Sequence, residues 1–291
     1  MPVRRISITD VSRKYVTVDN VTLAYEDYGG GPAIVFIHGY PASAYSWREV
    51  ARQLSGSHHC ICFDLMGFGH SDKPLHERYT IERQAELILG AAREMGLNRF
   101  VLAGHSMGGG VALSIMRKLG TVQDTVRALV LVNSVCYPQV LPWFMLALWV
   151  PMFPRLVMKL IPERWGFMLL RHAMYHRSRG MKPEAIEEYS ARLQSKGAHA
   201  ALMSTARHIV PRDIQGFVEL YSSICVPTQL IWGKRDRVVG AKLGRKLAKD
   251  IPDSRLLEID DCGHVPQEEY PELVGPALRR FIDEVDATGA G

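Results

Sequence analysis

The chain has 291 residues, 47% of them hydrophobic and 22% charged, with 25 Gly and 16 Pro. This globular composition excludes a disordered chain, a collagen-like repeat and a long coiled coil. Thirty-five Lys and Arg against 30 Asp and Glu give +5, too mild to require a nucleic-acid partner.

The positive excess is local. Residues 137–212 carry eleven Lys or Arg against four Glu, a net +7, and the remainder sums to −2. At ~150 residues per domain the length suggests two domains, or one α/β unit with an insert. Met1 to Tyr15 is polar and lacks an apolar h-region, so no secretory signal is expected. Cys60, Cys62, Cys136, Cys225 and Cys262 are odd in number and irregularly spaced. A disulfide framework is therefore not expected, and a reducing, cytoplasmic compartment is.

In chain order, Tyr15–Val18 and Val21–Tyr28 alternate around Asp19-Asn20 and predict a hairpin. Continuous apolar runs follow at Ala33–Ile37, His59–Phe63, Phe100–Ala103, Ala128–Val132 and Thr228–Trp232, with a weaker one at Arg255–Ile259. Such runs suit strands covered on both faces, as in a parallel sheet. Cys60 and Cys62 share a strand face as small core hydrophobes. Between the runs lie helical patterns at Tyr79–Met95, Gly109–Leu119, Ala241–Lys249 and Leu273–Val285, the last opened by Pro271. The tail from Ala287 to Gly291 is expected to fray. The alternation predicts an α/β fold, a mostly parallel, doubly wound sheet.

The alternation breaks between about Val135 and Gly216, a segment rich in helix formers that holds seven of the twelve Met. It reads as a helical cap inserted between strands. The expected division is 1–135 with 217–291 as catalytic domain and 136–216 as cap. Val135–Pro154 has no charged residue, but prolines 138, 142, 151 and 154 cut it well short of the ~20 apolar residues of a spanning helix. A buried cap helix, the lining of an apolar pocket, or peripheral membrane contact beside Arg155, Lys159, Arg164 and Arg171 remain open.

The chemistry concentrates at Gly104-His105-Ser106-Met107-Gly108, between a strand and a helix. A side chain on so tight a turn needs neighbours without bulk, which Gly104 and Gly108 supply. Ser106 then projects at the end of the sheet, facing helix N–H groups. A serine hydroxyl is a weak nucleophile at neutral pH and needs a base. His264 follows the last strand and suits that role; Asp236, just past Thr228–Trp232, is the carboxylate expected to orient it. Asp260 and Asp261 lie too near His264 along the chain, and Asp64 precedes a Gly-rich turn where an Asx-type role fits. The amides of Tyr40, in His38-Gly39-Tyr40-Pro41, and of Met107 are expected to form the oxyanion hole. His38 and His105 read as structural. No metal site, cofactor or phosphate loop is expected.

His38-Gly39-Tyr40-Pro41, Asp64-Leu65-Met66-Gly67-Phe68-Gly69-His70-Ser71-Asp72, Gly104-His105-Ser106-Met107-Gly108-Gly109, Asp236 and Gly263-His264 together resemble the α/β-hydrolase superfamily, over about 20–135 and 217–285. The first two motifs, with Lys73-Pro74, also resemble epoxide hydrolases and haloalkane dehalogenases. Those relatives place an Asp at the elbow, where this chain has Ser106, which argues against their activities.

A serine hydrolase of carboxylic esters with an apolar acyl chain is the leading expectation, acting on a small ester or lipid-like substrate. Two alternatives accompany it. One is a carbon–carbon bond hydrolase of β-diketone-like ring-cleavage products, with Arg171, Arg177, Arg179 and Arg192 as candidates to hold a substrate carboxylate. The other is a ligand-binding protein on the same fold.

Overall fold

The computed structural model describes residues 12–120, 125–140, 171–176, 180–211 and 213–288. Strands β1 (Ser12–Val18) and β2 (Val21–Tyr28) form the expected hairpin, with Val18 opposite Val21. Asp19 and Asn20 take positive φ of 49° and 62°, the left-handed pair that a two-residue turn between twisted strands requires. Strands β3 (Ala33–Ile37), β4 (His59–Phe63), β5 (Phe100–His105), β6 (Val126–Val132), β7 (Thr228–Gly233) and β8 (Ser254–Ile259) complete one sheet. Its order is β1-β2-β4-β3-β5-β6-β7-β8. The β1–β2 and β2–β4 pairs are antiparallel, and every pair from β4 to β8 is parallel.

The parallel strands are buried on both faces, which is why their sequences read as unbroken apolar runs. Val35, Ile37, Leu102, Leu129 and Leu131 face one layer of helices, α2 (Ile81–Glu94) and α3 (Met107–Leu119), with α7 (Ala241–Asp250) farther along. Ile34, Phe36, Cys60, Cys62, Val101 and Val130 face the other, where Leu54 of α1 (Arg48–Leu54) and Phe281 of α9 (Pro271–Ala287) pack. Each such side chain taken from water contributes about 1.5–3 kcal/mol. Cys60 and Cys62 are therefore core residues, and burial pushes the Cys60 thiol up to about 12, which keeps it protonated.

Helix boundaries follow local chemistry. Thr80 caps α2 by accepting the Arg83 N–H, and Pro271 occupies the first turn of α9, where its missing N–H costs nothing. Helix α9 reaches Ala287, and the last three residues lie outside the described part. Helix α1, and the 3-10 turn Ala44–Trp47 before it, went unread in the sequence. Seven residues make about two turns, too few to establish a period.

Between β6 and β7 lie α4 (Pro183–Leu193), α5 (Ala198–His208) and α6 (Ile214–Leu220), and no strand among the described residues. The uncharged stretch from Val135 is described only as far as Val140, so its pocket-lining and membrane readings fall mostly outside the described residues, as do Arg155, Lys159, Arg164, Arg177 and Arg179. Among the described residues no helix is long and apolar enough to cross a membrane.

The chain leaves β3 for β4 on one side, and β5 returns on the other. The carboxyl ends of β3 and β5 thus flank the point where strand order reverses, the place where parallel sheets open a crevice. The short helix α8 (Pro266–Glu269) follows β8 at the same end.

Candidate active site

Ser106 sits between β5 and α3 with φ 52° and ψ −117°, a backbone conformation that a non-glycine residue adopts only under strain of about 1–3 kcal/mol. Its surroundings hold it there. The Ser106 N–H donates to Val132 O at 3.0 Å, and its carbonyl accepts from the amides of Gly109, Gly110 and Val135. A Cβ on Gly104 would strike the Gly108 carbonyl, and one on Gly108 would strike the carbonyls of Ile37 and His38. The two glycines let strand, turn and helix close upon each other. The Ser106 side chain makes no helix-capping bond, so its hydroxyl is free for another partner.

That partner is His264. Its Nε2 lies 2.9 Å from Ser106 Oγ and its Nδ1 lies 2.8 Å from Asp236 Oδ2. A carboxylate only accepts, so Nδ1 carries the proton and Nε2 presents a lone pair to the serine hydroxyl. Both side chains of the His–Asp pair are shut off from solvent. The fold thus brings together all three side chains expected from the sequence, from the ends of β5, β7 and β8.

Asp236 is fully occupied. Its Oδ1 accepts from the Val238 and Val239 amides at 2.7 and 3.0 Å. Its Oδ2 accepts from the Asn133 side-chain amide as well as from His264. Asn133 follows β6 with φ 42° and is entirely buried, and its Oδ1 takes the Gly233 N–H at 3.2 Å. The part Asn133 plays in the site went unread in the sequence. The signal was there: a polar residue at the end of an apolar strand, at the same edge of the sheet as the others.

The loop after β3 lies against the elbow, for a Cβ on Gly39 would approach Ser106 Cβ to 2.9 Å. Tyr40 shares a cavity with Ser106 and His264. Among the described residues, neither the Tyr40 nor the Met107 amide donates to a carbonyl outside its own element.

The two neighbouring histidines have structural partners. His38 Nε2 accepts the Leu65 N–H at 3.0 Å, which leaves Nδ1 to donate to Gly39 O at 2.8 Å; burial holds its pKa down at about 4. His105 Nε2 bonds the His264 carbonyl at 2.7 Å, so the ring supports the His264 turn. Burial, then the adjacent His264, push His105 well below the ordinary imidazole range. Asp64 does more than an Asx turn, which spans two residues. It accepts from Ala44 N at 2.7 Å and His70 N at 2.8 Å, and burial raises its pKa to about 6.

Glu269 also escaped the sequence analysis. Its carboxylate takes the amides of His176, Gly263 and Val265 at 2.8–3.2 Å, bracing the turn that carries His264. The His264 amide donates to Met174 O at 2.6 Å, tying that turn to the segment between β6 and β7.

The cavity beside Ser106 and His264 has a volume of about 140 Å³. Its walls include Tyr137, Met174, Ile209, Ile214, Val238 and Val239, and no Asp, Glu, Lys or Arg is among its described lining residues. Of the cations considered for a substrate carboxylate, Arg192 pairs with Glu188 and contacts His70, and Arg171 lies beside Gly180. Neither lines the cavity, and Arg177 and Arg179 are outside the described residues. Among the described residues, no group of three or more His, Cys, Asp or Glu is arranged to hold a metal ion.

Comparison with known proteins places this geometry in context. The family model for the alpha/beta hydrolase fold matches residues 32–271. The uncharacterized hydrolase YugF of Bacillus subtilis (strain 168) is 30% identical over 268 residues, 91% of this chain and 96% of that protein. Haloalkane dehalogenase 2 of Mycobacterium tuberculosis (strain ATCC 25618 / H37Rv) is 27% identical over 273 residues, covering 87% and 89%. Among solved structures, a thermophilic esterase from Thermogutta terrifontis superposes with a TM-score of 0.76 at 27% identity, covering 94% of this chain and 99% of that one.

Proposed function

The chain belongs to the alpha/beta hydrolase fold family, and from that premise we propose that it is a serine hydrolase cleaving carboxylic esters with an apolar acyl chain. The observation that carries the reading is the relay from Ser106 Oγ to His264 Nε2, and from His264 Nδ1 to Asp236, opening into a cavity whose described walls hold no Asp, Glu, Lys or Arg. Ser106 attacks the ester carbonyl as His264 takes its proton. The Tyr40 and Met107 amides receive the developing oxyanion, where fixed donors act most strongly. Asp236 holds the His264 tautomer and stabilises the imidazolium. His264 then protonates the departing alcohol, and water activated by the same ring releases the acid from Ser106.

Residues 136–216 act in this reading as the cap over an acyl group. Apolar walls from Met174, Ile209 and Ile214 support it, since they reward burial of methylenes at ~0.8 kcal/mol each. Relatives that include both an esterase and a dehalogenase leave the reaction to the elbow residue. A serine there favours acyl transfer over opening a carbon–halogen bond or an epoxide. A ring-cleavage product carrying a carboxylate finds no cation among the described cavity walls, which favours the ester reading over carbon–carbon cleavage.

The test is covalent labelling by an activated phosphonate, with release of p-nitrophenol from p-nitrophenyl butyrate. The wild-type protein is expected to do both and Ser106→Ala neither, with its circular dichroism unchanged. Stoichiometric labelling of the Ala variant would move the nucleophile elsewhere. Binding of apolar ligands without turnover by the wild type would favour a ligand-binding protein.

A further inference from the structure

Glu268 and Glu269 are consecutive, yet their carboxylates serve different partners. Glu269 reaches under the His264 turn. Glu268 instead accepts the hydroxyls of Tyr175 and Tyr189, each at 2.8 Å. Tyr189 lies on α4, and Tyr175 adjoins Met174, whose carbonyl holds the His264 amide and whose side chain walls the cavity. Among the described residues, the inserted segment is thus tied to α8 and the turn before it through Met174 O, the His176 amide on Glu269 and the two tyrosines on Glu268. Of these bonds, the one from Tyr189 to Glu268 reaches α4.

We propose that Glu268 is a positioning residue that clamps residues 174–176 and 180–189 onto the His264 turn and so sets the Met174 wall of the cavity. The inference rests on the function proposed above for its catalytic consequence, but not for the clamp itself.

The clamp has a pH sense. Facing Glu268 are Arg48 and Glu49 of α1, Tyr45 before it, Lys182 ahead of α4, Glu269 alongside, and His105 across a small cavity. Burial outweighs the tyrosine bonds and Arg48, and raises the Glu268 carboxyl to about 7. Once the segment swings away, the carboxyl returns to an ordinary value near ~4.3. The closed form therefore binds the proton more tightly, so closure is strongest below about 4.3 and weakens as pH rises from there to about 7. A glutamine keeps the neutral form: its carbonyl accepts from one tyrosine, and its amide donates to the oxygen of the other.

Amide hydrogen exchange, corrected for intrinsic rates, reads the clamp without turnover. Glu268→Ala is expected to speed exchange in residues 171–176 and 180–193 by roughly tenfold, with 100–119 unchanged. In the wild type those two stretches exchange faster at pH 7.5 than at pH 5. In Glu268→Gln they do not. Tyr189→Phe serves as a second variant should Glu268→Ala fold poorly, and is expected to loosen 180–193. On p-nitrophenyl butyrate, Glu268→Ala raises KM more than it lowers kcat. Unchanged exchange in Glu268→Ala or Tyr189→Phe overturns the clamp. Faster exchange with an unaltered KM overturns its role in the cavity. Faster exchange in a protein that hydrolyses no ester at all leaves the clamp standing and removes the function proposed above.

Discussion

Ser106 shows how one side chain is positioned by what its neighbours lack. Gly104 and Gly108 remove the bulk, and a strained φ of 52° aims the hydroxyl at His264. Removing His264 leaves that hydroxyl without a base. His264→Ala is expected to lower kcat by ~10³-fold or more on p-nitrophenyl butyrate; near-normal turnover at neutral pH would take His264 out of the mechanism. Asn133 acts one step back, donating to the same Asp236 oxygen that His264 uses. A hydrogen bond to a buried charge contributes ~1.5–3 kcal/mol. Asn133→Ala should therefore slow kcat by about 10- to 100-fold if that energy is expressed in the transition state. A variant with wild-type kcat would mean that Asp236 is held by Val238 and Val239 alone.

At the scale of elements, the site is a set of strand ends joined by loop-to-loop bonds. His38 links the end of β3 to the loop after β4, through Gly39 and Leu65, and does so as a neutral ring. Its pKa is lowered to about 4 in the folded protein. In the unfolded chain the ring takes up its proton near ~6.5. The stability it contributes is therefore complete above pH 6.5 and lost as pH falls toward 4, a swing of about 3 kcal/mol. His38→Ala should destabilise the protein by more at pH 7.5 than at pH 4.5, as read from urea midpoints of wild type and variant at both. An equal difference at the two pH values would show that His38 does not titrate with unfolding.

Over the whole molecule, the sheet brings Ser106, Asp236 and His264 together at the carboxyl ends of its strands, and the segment between β6 and β7 adds apolar walls beside them. Because the described walls carry no charge, selectivity should follow acyl length rather than substrate charge. In a p-nitrophenyl ester series, kcat/KM is expected to rise from acetate to butyrate or beyond, and to exceed that for a carboxylate-bearing ring-fission dienoate. A steady decline from acetate, or preference for the dienoate, would contradict the substrate class.

The strands were legible because burial on both faces writes itself as continuous apolar runs, as at Ala33–Ile37 and Ala128–Val132. Ser106, Asp236 and His264 were legible because each stands at a strand end in a distinctive local setting. Glu268 was not, since its partner Tyr175 lies 93 residues away, and Asn133, though it stands at a strand end, takes its role from Asp236, 103 residues away. A local pattern records what a residue needs from its neighbours along the chain. The sequence alone determined the alternation of strands and helices and the candidates at their ends. Only the folded sheet decided which candidates meet, because a hydrogen bond depends on ångströms between side chains that the one-dimensional order does not constrain.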